Sequence, residues 1–549
     1  MNPAPMKKLL PALLILLLSP SLMLADTYPK NPRVDVLNYI FRIELSDNSD
    51  AIQVEATVDV RYVGEGVEFL RLDLVKTSAA LGNKGMTVSS VMSEDNALSF
   101  THEGGELKIK LPLPSIRNQR TAYTITYSGL PATGLKIANN KYGDRTFFSD
   151  NWPDKGRNWL PIVDHPYDKA TCEFIVTAPA HYQVVSNGLK VEESDLANGN
   201  RITHWKQSVP IASWLYVLGV ARFAVQHVDQ FDHKSIETWV YYQDRDAGFY
   251  DFAEPTKQVL EFYSSYVGPF AYERLANIQS NSVSGGMEAA SAILYSETSV
   301  VGDRNERWRN VVIHEIAHQW FGNAVTEYDW NDVWLSEGFA TYFTLLFIEH
   351  AYGHDAFFEG LADSKKRVNS FYIKNPNYRI VHDNLADMEQ VTSSQTYQKG
   401  SWILHMLRGA VGDENFWKGI RSYYSKYMNS NATTADFRRE MEEASGMDLK
   451  DFFDQWLFKP GALQYNGTWQ YNDKKKEVRI TIDQVQTDGS LFKMPVQIEI
   501  HTAQGKQLIK TLQVNEKKNE FTITLDAPPQ NIVLDPDNWV LMEAKWGKK

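Results

Sequence analysis

The stretch Val311-Val312-Ile313-His314-Glu315-Ile316-Ala317-His318-Gln319-Trp320-Phe321-Gly322-Asn323 decides how this chain reads. Val312, Ile316, Trp320 and Phe321 recur at helical spacing, which predicts a buried helix over 311–323. His314 and His318 are positions i and i+4 of that helix. Such residues differ by about 40° and sit one turn apart, so both imidazoles project to one side and can chelate one ion. Glu315 points roughly 100° away around the axis, where it can reach a water without ligating. The following segment, Asn331 to Tyr342 (NDVWLSEGFATY), predicts a second buried helix with an Asn or Asp cap. Glu337 falls in its first turn among large apolar residues, where a carboxylate is costly unless paired or metal-bound. Two imidazoles and a carboxylate suit zinc, with a fourth position left open to water.

Composition supports that ligand type. The chain has 549 residues and a single cysteine, Cys172, so it can form no intrachain disulfide and no multi-thiolate metal site; any metal must be held by His, Asp or Glu. Cys172 itself reads as a small buried residue. Hydrophobic residues make up 43% and charged residues 23%, ordinary for globular domains, and the length suggests three or four of them. The net charge of −12 argues against a nucleic-acid binder, which needs a basic excess to neutralise phosphates.

Outward from the motif, the chain divides by pattern. Residues 26–230 read as a β-rich unit: Ile52 to Tyr62 alternates strictly between apolar and polar residues, with weaker alternations at Thr121–Tyr127 and Cys172–Val176. Residues 231–458 carry helical spacing over Phe252–Val267, Asn305–Asn323, Trp334–Glu349, Ser401–Val411 and Phe416–Tyr427, with Thr434 as the cap of a further helix. Residues 459–549 return to β: Val478, Ile480 and Ile482 alternate, as do Val496, Ile498 and Ile500. The runs Asp473–Lys476 and Glu516–Asn519 read as hairpin tips. Residues 1–25 read as a signal peptide, with Lys7 and Lys8 before an apolar run, Leu9 to Leu18, and a small residue at Ala25. That run is shorter than the ~20 residues of a membrane span, so cleavage is expected over a retained anchor, with export to the periplasm or medium and no stable membrane insertion.

Further motifs narrow the reading. Val311–Thr326 (VVIHEIAHQWFGNAVT) and Trp334–Tyr342 (WLSEGFATY) closely resemble the zinc aminopeptidase family of aminopeptidase N and leukotriene hydrolase, which are glutamate-zincins. Gly285-Gly286-Met287-Glu288 matches the first four positions of that family's Gly-x-Met-Glu-Asn motif, and Tyr397-Gln398-Lys399-Gly400 looks like its Tyr-x-Lys-Gly motif. The resemblance runs from about Tyr39 to the tail. It implies a multidomain α+β fold: an N-terminal antiparallel β domain, a thermolysin-like, mostly helical catalytic domain and a C-terminal β-sandwich.

The resemblance also implies roles. His314, His318 and Glu337 would ligate one Zn²⁺ per chain, and Glu315 would act as general base. Glu288 would hold the free α-ammonium of a peptide substrate, and Tyr397 would donate to the oxyanion. Gly285, Gly286 and Met287 would lie along the substrate backbone. The family's asparagine after Met-Glu is Ala289 here, which leaves the local strand-binding geometry open. Relatives carry Gln-x-Glu or Gln-x-Gln in the N-terminal domain; Asp150 falls at the first of those polar positions and Trp152 at the second, so Asp150 would help bind the ammonium, and Lys399 reads as a supporting residue. The large helical C-terminal domain of many relatives has no counterpart, which suggests a more open cleft. The competing readings are a thermolysin-type endopeptidase, against which the Gly-Gly-Met-Glu stretch argues, and a non-catalytic metal-bound peptide-capture protein, which would need neither Glu315 nor Tyr397.

Overall fold

The computed structural model describes residues 26–381, 385, 388–502, 505 and 507–549, so the expected signal peptide lies outside the described residues. The strand Ser49–Tyr62 buries Ile52, Val54, Ala56, Val58, Val60 and Tyr62 on one face, as its alternation requires. It lies inside an eight-stranded sheet, between the strands Val34–Ser46 and Gln119–Leu130. The sheet is not wholly antiparallel: Val34–Ser46 pairs in parallel with Lys169–Pro179. A three-stranded and a four-stranded sheet complete this unit.

Phe223–Phe231 and Lys234–Tyr241 form a hairpin that opens a separate five-stranded sheet. The boundary expected at 230/231 therefore falls inside a hairpin. The strands Lys234–Tyr241, Arg274–Ser280 and Ala292–Ser296 run parallel, and the short strand Gly286–Met287 closes the sheet as an antiparallel edge. The helices follow in sequence. The expected segment Phe252–Val267 takes in the end of one helix, Arg245–Ala253, and the whole of a second, Thr256–Tyr266, divided around Pro255, whose ring and missing N–H break a helix. The motif helix is Glu306–His318, with the Asn305 side chain accepting from Arg307 N at 3.1 Å as its cap. It ends before the expected Asn323, because the chain turns at Gly322, φ +111°. A Cβ there would meet Ser336 Oγ at 2.2 Å, so the turn can pack against the next helix only as glycine.

That next helix, Trp334–Tyr352, is buried along most of its length. Its expected Asn/Asp cap is absent. Asp332 lies in a 3-10 turn instead, and its carboxylate accepts from Thr434 N and Oγ1 at 3.2 and 2.6 Å. The helix Thr434–Ser445 is capped one residue earlier than expected, by Thr433 in a reciprocal box with Asp436. A long helix absent from the sequence reading, His354–Lys374, packs against Trp334–Tyr352. The C-terminal region forms a four-stranded and a three-stranded sheet, burying Val478, Ile480 and Ile482 in one and Val496, Ile498 and Ile500 in the other. Asp473–Lys476 is a hairpin tip, whereas Glu516–Asn519 crosses from one sheet to the other.

Candidate metal centre and cleft

The motif helix and the helix Trp334–Tyr352 bring three ligand-type atoms to one point. His314 Nε2 and His318 Nε2 are 3.1 Å apart, and Glu337 Oε2 lies 3.5 Å from the first and 3.3 Å from the second. Ligands at 2.0–2.1 Å around a tetrahedral zinc stand roughly 3.3 Å from one another, so the spacing fits. The donor set fits as well: Glu337 Oε2 is buried and makes no hydrogen bond. Burial opposes the Glu337 charge, but the two imidazoles outweigh it and hold its carboxyl down to about 2. His318 is oriented from behind, with Nδ1 3.0 Å from Ser336 Oγ and 3.2 Å from Phe321 O, which leaves Nε2 facing the cluster. A second trio, Asp26, His165 and Asp329, has comparable spacing, but the Lys30 ammonium bonds to both aspartates and already supplies the cation there.

Around the trio stand the other predicted residues. Glu315 is buried, and burial followed by the Glu288 charge pushes its carboxyl well above the ordinary range. Glu288 Oε1 lies 3.9 Å from His318 Nδ1 and has no hydrogen-bond partner. Burial raises its carboxyl to about 7, against the pull of His318. The Tyr397 hydroxyl donates to Glu337 Oε1 at 2.6 Å, and its ring stacks on His314 with centroids 6.0 Å apart. Burial and then the Glu337 charge keep Tyr397 protonated well beyond neutral pH. Tyr397 sits on a π-helical turn, Gln395–Lys399, a backbone form found often at functional sites.

Glu288, Glu315, Tyr397 and the trio line one cleft of ≈ 630 Å³, together with Gly285 and Gly286 of the edge strand. A larger groove of ≈ 1100 Å³ on the N-terminal unit is lined by no histidine and by one carboxylate, Glu94, and so offers no comparable chemistry. Two predicted residues do not join the cleft lining. Met287 is 5% exposed and packs into the core, because alternation along the strand turns it inward. Asp150 pairs with Lys155 at 3.1 Å and lines a neighbouring cavity of ≈ 390 Å³, although its charge adds to the upward push on Glu288.

The sequence pattern of the peptidase family M1 domain matches residues 252–456, and that of the M1 N-terminal domain matches residues 36–215. The chain belongs to the peptidase M1 family. The M1 chain is similar to glutamyl aminopeptidase of Homo sapiens, 31% identical over 342 residues, covering 60% of this chain and 36% of that protein. It is also similar to a leucyl aminopeptidase of Saccharolobus solfataricus, 26% identical over 424 residues, covering 71% and 53%. The chain spans about a third of the length of the glutamyl aminopeptidases it matches. In fold it resembles an M1 zinc metallopeptidase from Deinococcus radiodurans with a TM-score of 0.66, at 23% identity, over 77% of this chain and 93% of that one.

Within this M1 chain, sequence reasoning missed three kinds of participant. Ser336 orients His318, and Gln319 and Asn323 hold the backbone of Glu288. The helix His354–Lys374 forms the far wall of the cleft through Ala356, Glu359, Gly360, Asp363 and Arg367. Its buried positions Phe357, Leu361, Ser364, Val368 and Tyr372 repeat at helical spacing, a signal that was present in the sequence. Gly286 also has a second reason to be glycine: a Cβ there would lie 2.2 Å from Glu315 Oε1. Gly285 has open space at that position. Gly286→Ala is therefore expected to push Glu315 aside and lower kcat by about tenfold to a hundredfold, with zinc content unchanged; steady-state kinetics beside metal analysis checks this.

Proposed function

We propose that this chain is a zinc-dependent aminopeptidase that hydrolyses the N-terminal peptide bond of peptides bearing a free amine. The observation that carries the reading is the unpartnered Glu288 Oε1, buried beside the trio of His314, His318 and Glu337 in the same cleft. A buried carboxylate oxygen without a hydrogen-bond partner is costly, and a substrate ammonium would supply the missing donor. With the ammonium held there, the first peptide carbonyl is directed to the trio. One Zn²⁺ held by His314, His318 and Glu337 would supply Lewis acidity toward that carbonyl and acidify water.

The remaining steps belong to the chain. Glu315, with its raised carboxyl, takes the proton of the attacking water and returns it to the leaving amine. The Tyr397 hydroxyl donates to the oxyanion as it develops. The edge strand Gly286–Met287 offers backbone groups to an extended substrate as an added strand. Among the described residues no helix is long and apolar enough to cross a membrane. The leader pattern of residues 1–25 supports export to the periplasm or the medium.

The test compares leucyl anilide with its N-acetyl derivative. The free-amine substrate is expected to be hydrolysed at least about a hundredfold faster, with activity lost to a chelator and restored by zinc. Equal rates on both substrates would remove the amine anchor and with it the exopeptidase reading.

A further inference from the structure

The turn that carries Glu288 is held from two sides. From the end of the motif helix, Gln319 Nε2 donates to Glu288 O at 3.0 Å, and Gln319 Oε1 accepts from Ser291 N at 3.0 Å. Asn323 Nδ2 donates to the same Glu288 carbonyl at 2.6 Å. From the N-terminal unit, Asn187 Nδ2 donates to Ala290 O at 2.7 Å and Gly188 N donates to Ser291 Oγ at 2.8 Å. Lys169 Nζ, from the same unit, donates to Asn323 O at 2.9 Å. Gln319, Asn323, Asn187 and Ser291 are all buried.

This network has the marks of a clamp. Both halves of the Gln319 amide are engaged on the turn, and the Glu288 carbonyl accepts two donors. Ser291 adopts φ +64°, a left-handed conformation uncommon outside glycine, which persists where surrounding bonds over-determine it. Ala289 contributes no polar side-chain atom. Buried polar groups with their partners in place fix one arrangement rigidly. Gln319 directly follows His318, so the same short segment presents a metal-ligand imidazole and grips the backbone of Glu288.

We propose that Gln319 and Asn323 are positioning residues that set the distance between the Glu288 carboxylate and the His314–His318–Glu337 cluster, and so determine how strongly the site discriminates a free N-terminal ammonium from a blocked one. The inference rests on the aminopeptidase reading and deepens it. A placement error of 1 Å is enough to spoil such an anchor.

The test is an equilibrium measurement on the zinc-loaded enzyme. Leucine hydroxamate and its des-amino analogue, 4-methylpentanohydroxamic acid, carry the same chelating group and differ in the α-ammonium. In the unaltered enzyme the ratio of their Kd values tests the aminopeptidase reading itself, and a ratio near one would sink that reading. Where the ratio exceeds about ten, Gln319→Met, which removes both buried hydrogen bonds from this side chain to the turn, is expected to lower it by about tenfold, with des-amino affinity and zinc content unchanged. Asn187→Ala alters no residue of the motif helix and is expected to lower the ratio about threefold. An unchanged ratio in Gln319→Met overturns the proposal. So does loss of zinc in Gln319→Met together with an unchanged ratio in Asn187→Ala, which would assign Gln319 to folding of the helix end alone.

Discussion

Glu315→Gln is expected to lower kcat/KM on leucyl anilide by about 10²- to 10⁴-fold, the range lost when a general base is removed. Zinc content should be unchanged, because Glu315 is not in the trio whose atoms converge at 3.1–3.5 Å. Glutamine keeps the shape of the side chain beside Gly286, whose missing Cβ leaves the room it occupies. What it loses is a site that can take a proton. Glu315 is well placed to take one. It is buried, with Glu288 as a neighbouring like charge, so its carboxyl binds a proton far more readily than a free glutamate. The same environment makes the charged form costly, so glutamine should leave the melting temperature equal or higher. Stability retained with activity lost is the signature of a residue kept for chemistry. A variant that stays within tenfold of the original rate, with zinc bound, would require another base in the cleft.

The chemistry was more legible in the sequence than its support. Helical spacing of i and i+4 suffices to put His314 and His318 on one side, and a lone carboxylate among apolar residues suffices to mark Glu337. These are local rules, and the structure brings the three atoms together. The strand Ser49–Tyr62 was legible for the same reason, since strict alternation has one structural solution. Boundaries were less so. The motif helix stops at His318 because Gly322 must approach Ser336, a contact between two helices that no periodicity reveals. Asp332 accepts from the first residue of a helix a hundred residues away instead of capping its own, and Thr433, not Thr434, caps that helix. Met287 matched the family string but turns into the core, and Asp150 answers to a neighbouring cavity. Gln319 and Asn323 lay in the most informative stretch of the chain, yet their partners, Glu288 and Ser291, come from a turn some thirty residues earlier. Side chain to backbone bonds of that range depend on tertiary packing and leave no spacing rule behind.

Tyr397→Phe carries the second large effect, an expected fall in kcat of about 10²- to 10³-fold with KM nearly unchanged, as for removal of one oxyanion donor. The ring should stay where it is. It stacks on His314, and the π-helical turn beneath it is fastened to the helix His354–Lys374. Gln395 Nε2 donates to Val368 O at 3.2 Å and the buried Lys399 Nζ to Tyr372 OH at 2.6 Å. The loss would therefore be of the hydroxyl alone. That hydroxyl donates to Glu337 Oε1, so a competing account is that it serves the metal ligand and not the substrate. The two accounts separate in measurement. If the hydroxyl acts on the developing oxyanion, Tyr397→Phe keeps its zinc affinity and its Kd for leucine hydroxamate while kcat falls. If it serves mainly to hold Glu337, zinc affinity falls by about tenfold to a hundredfold, the usual effect of losing a partner behind a ligand, and added zinc restores the rate. Burial and the Glu337 charge keep Tyr397 protonated throughout the neutral range, so the hydroxyl is available there as a donor.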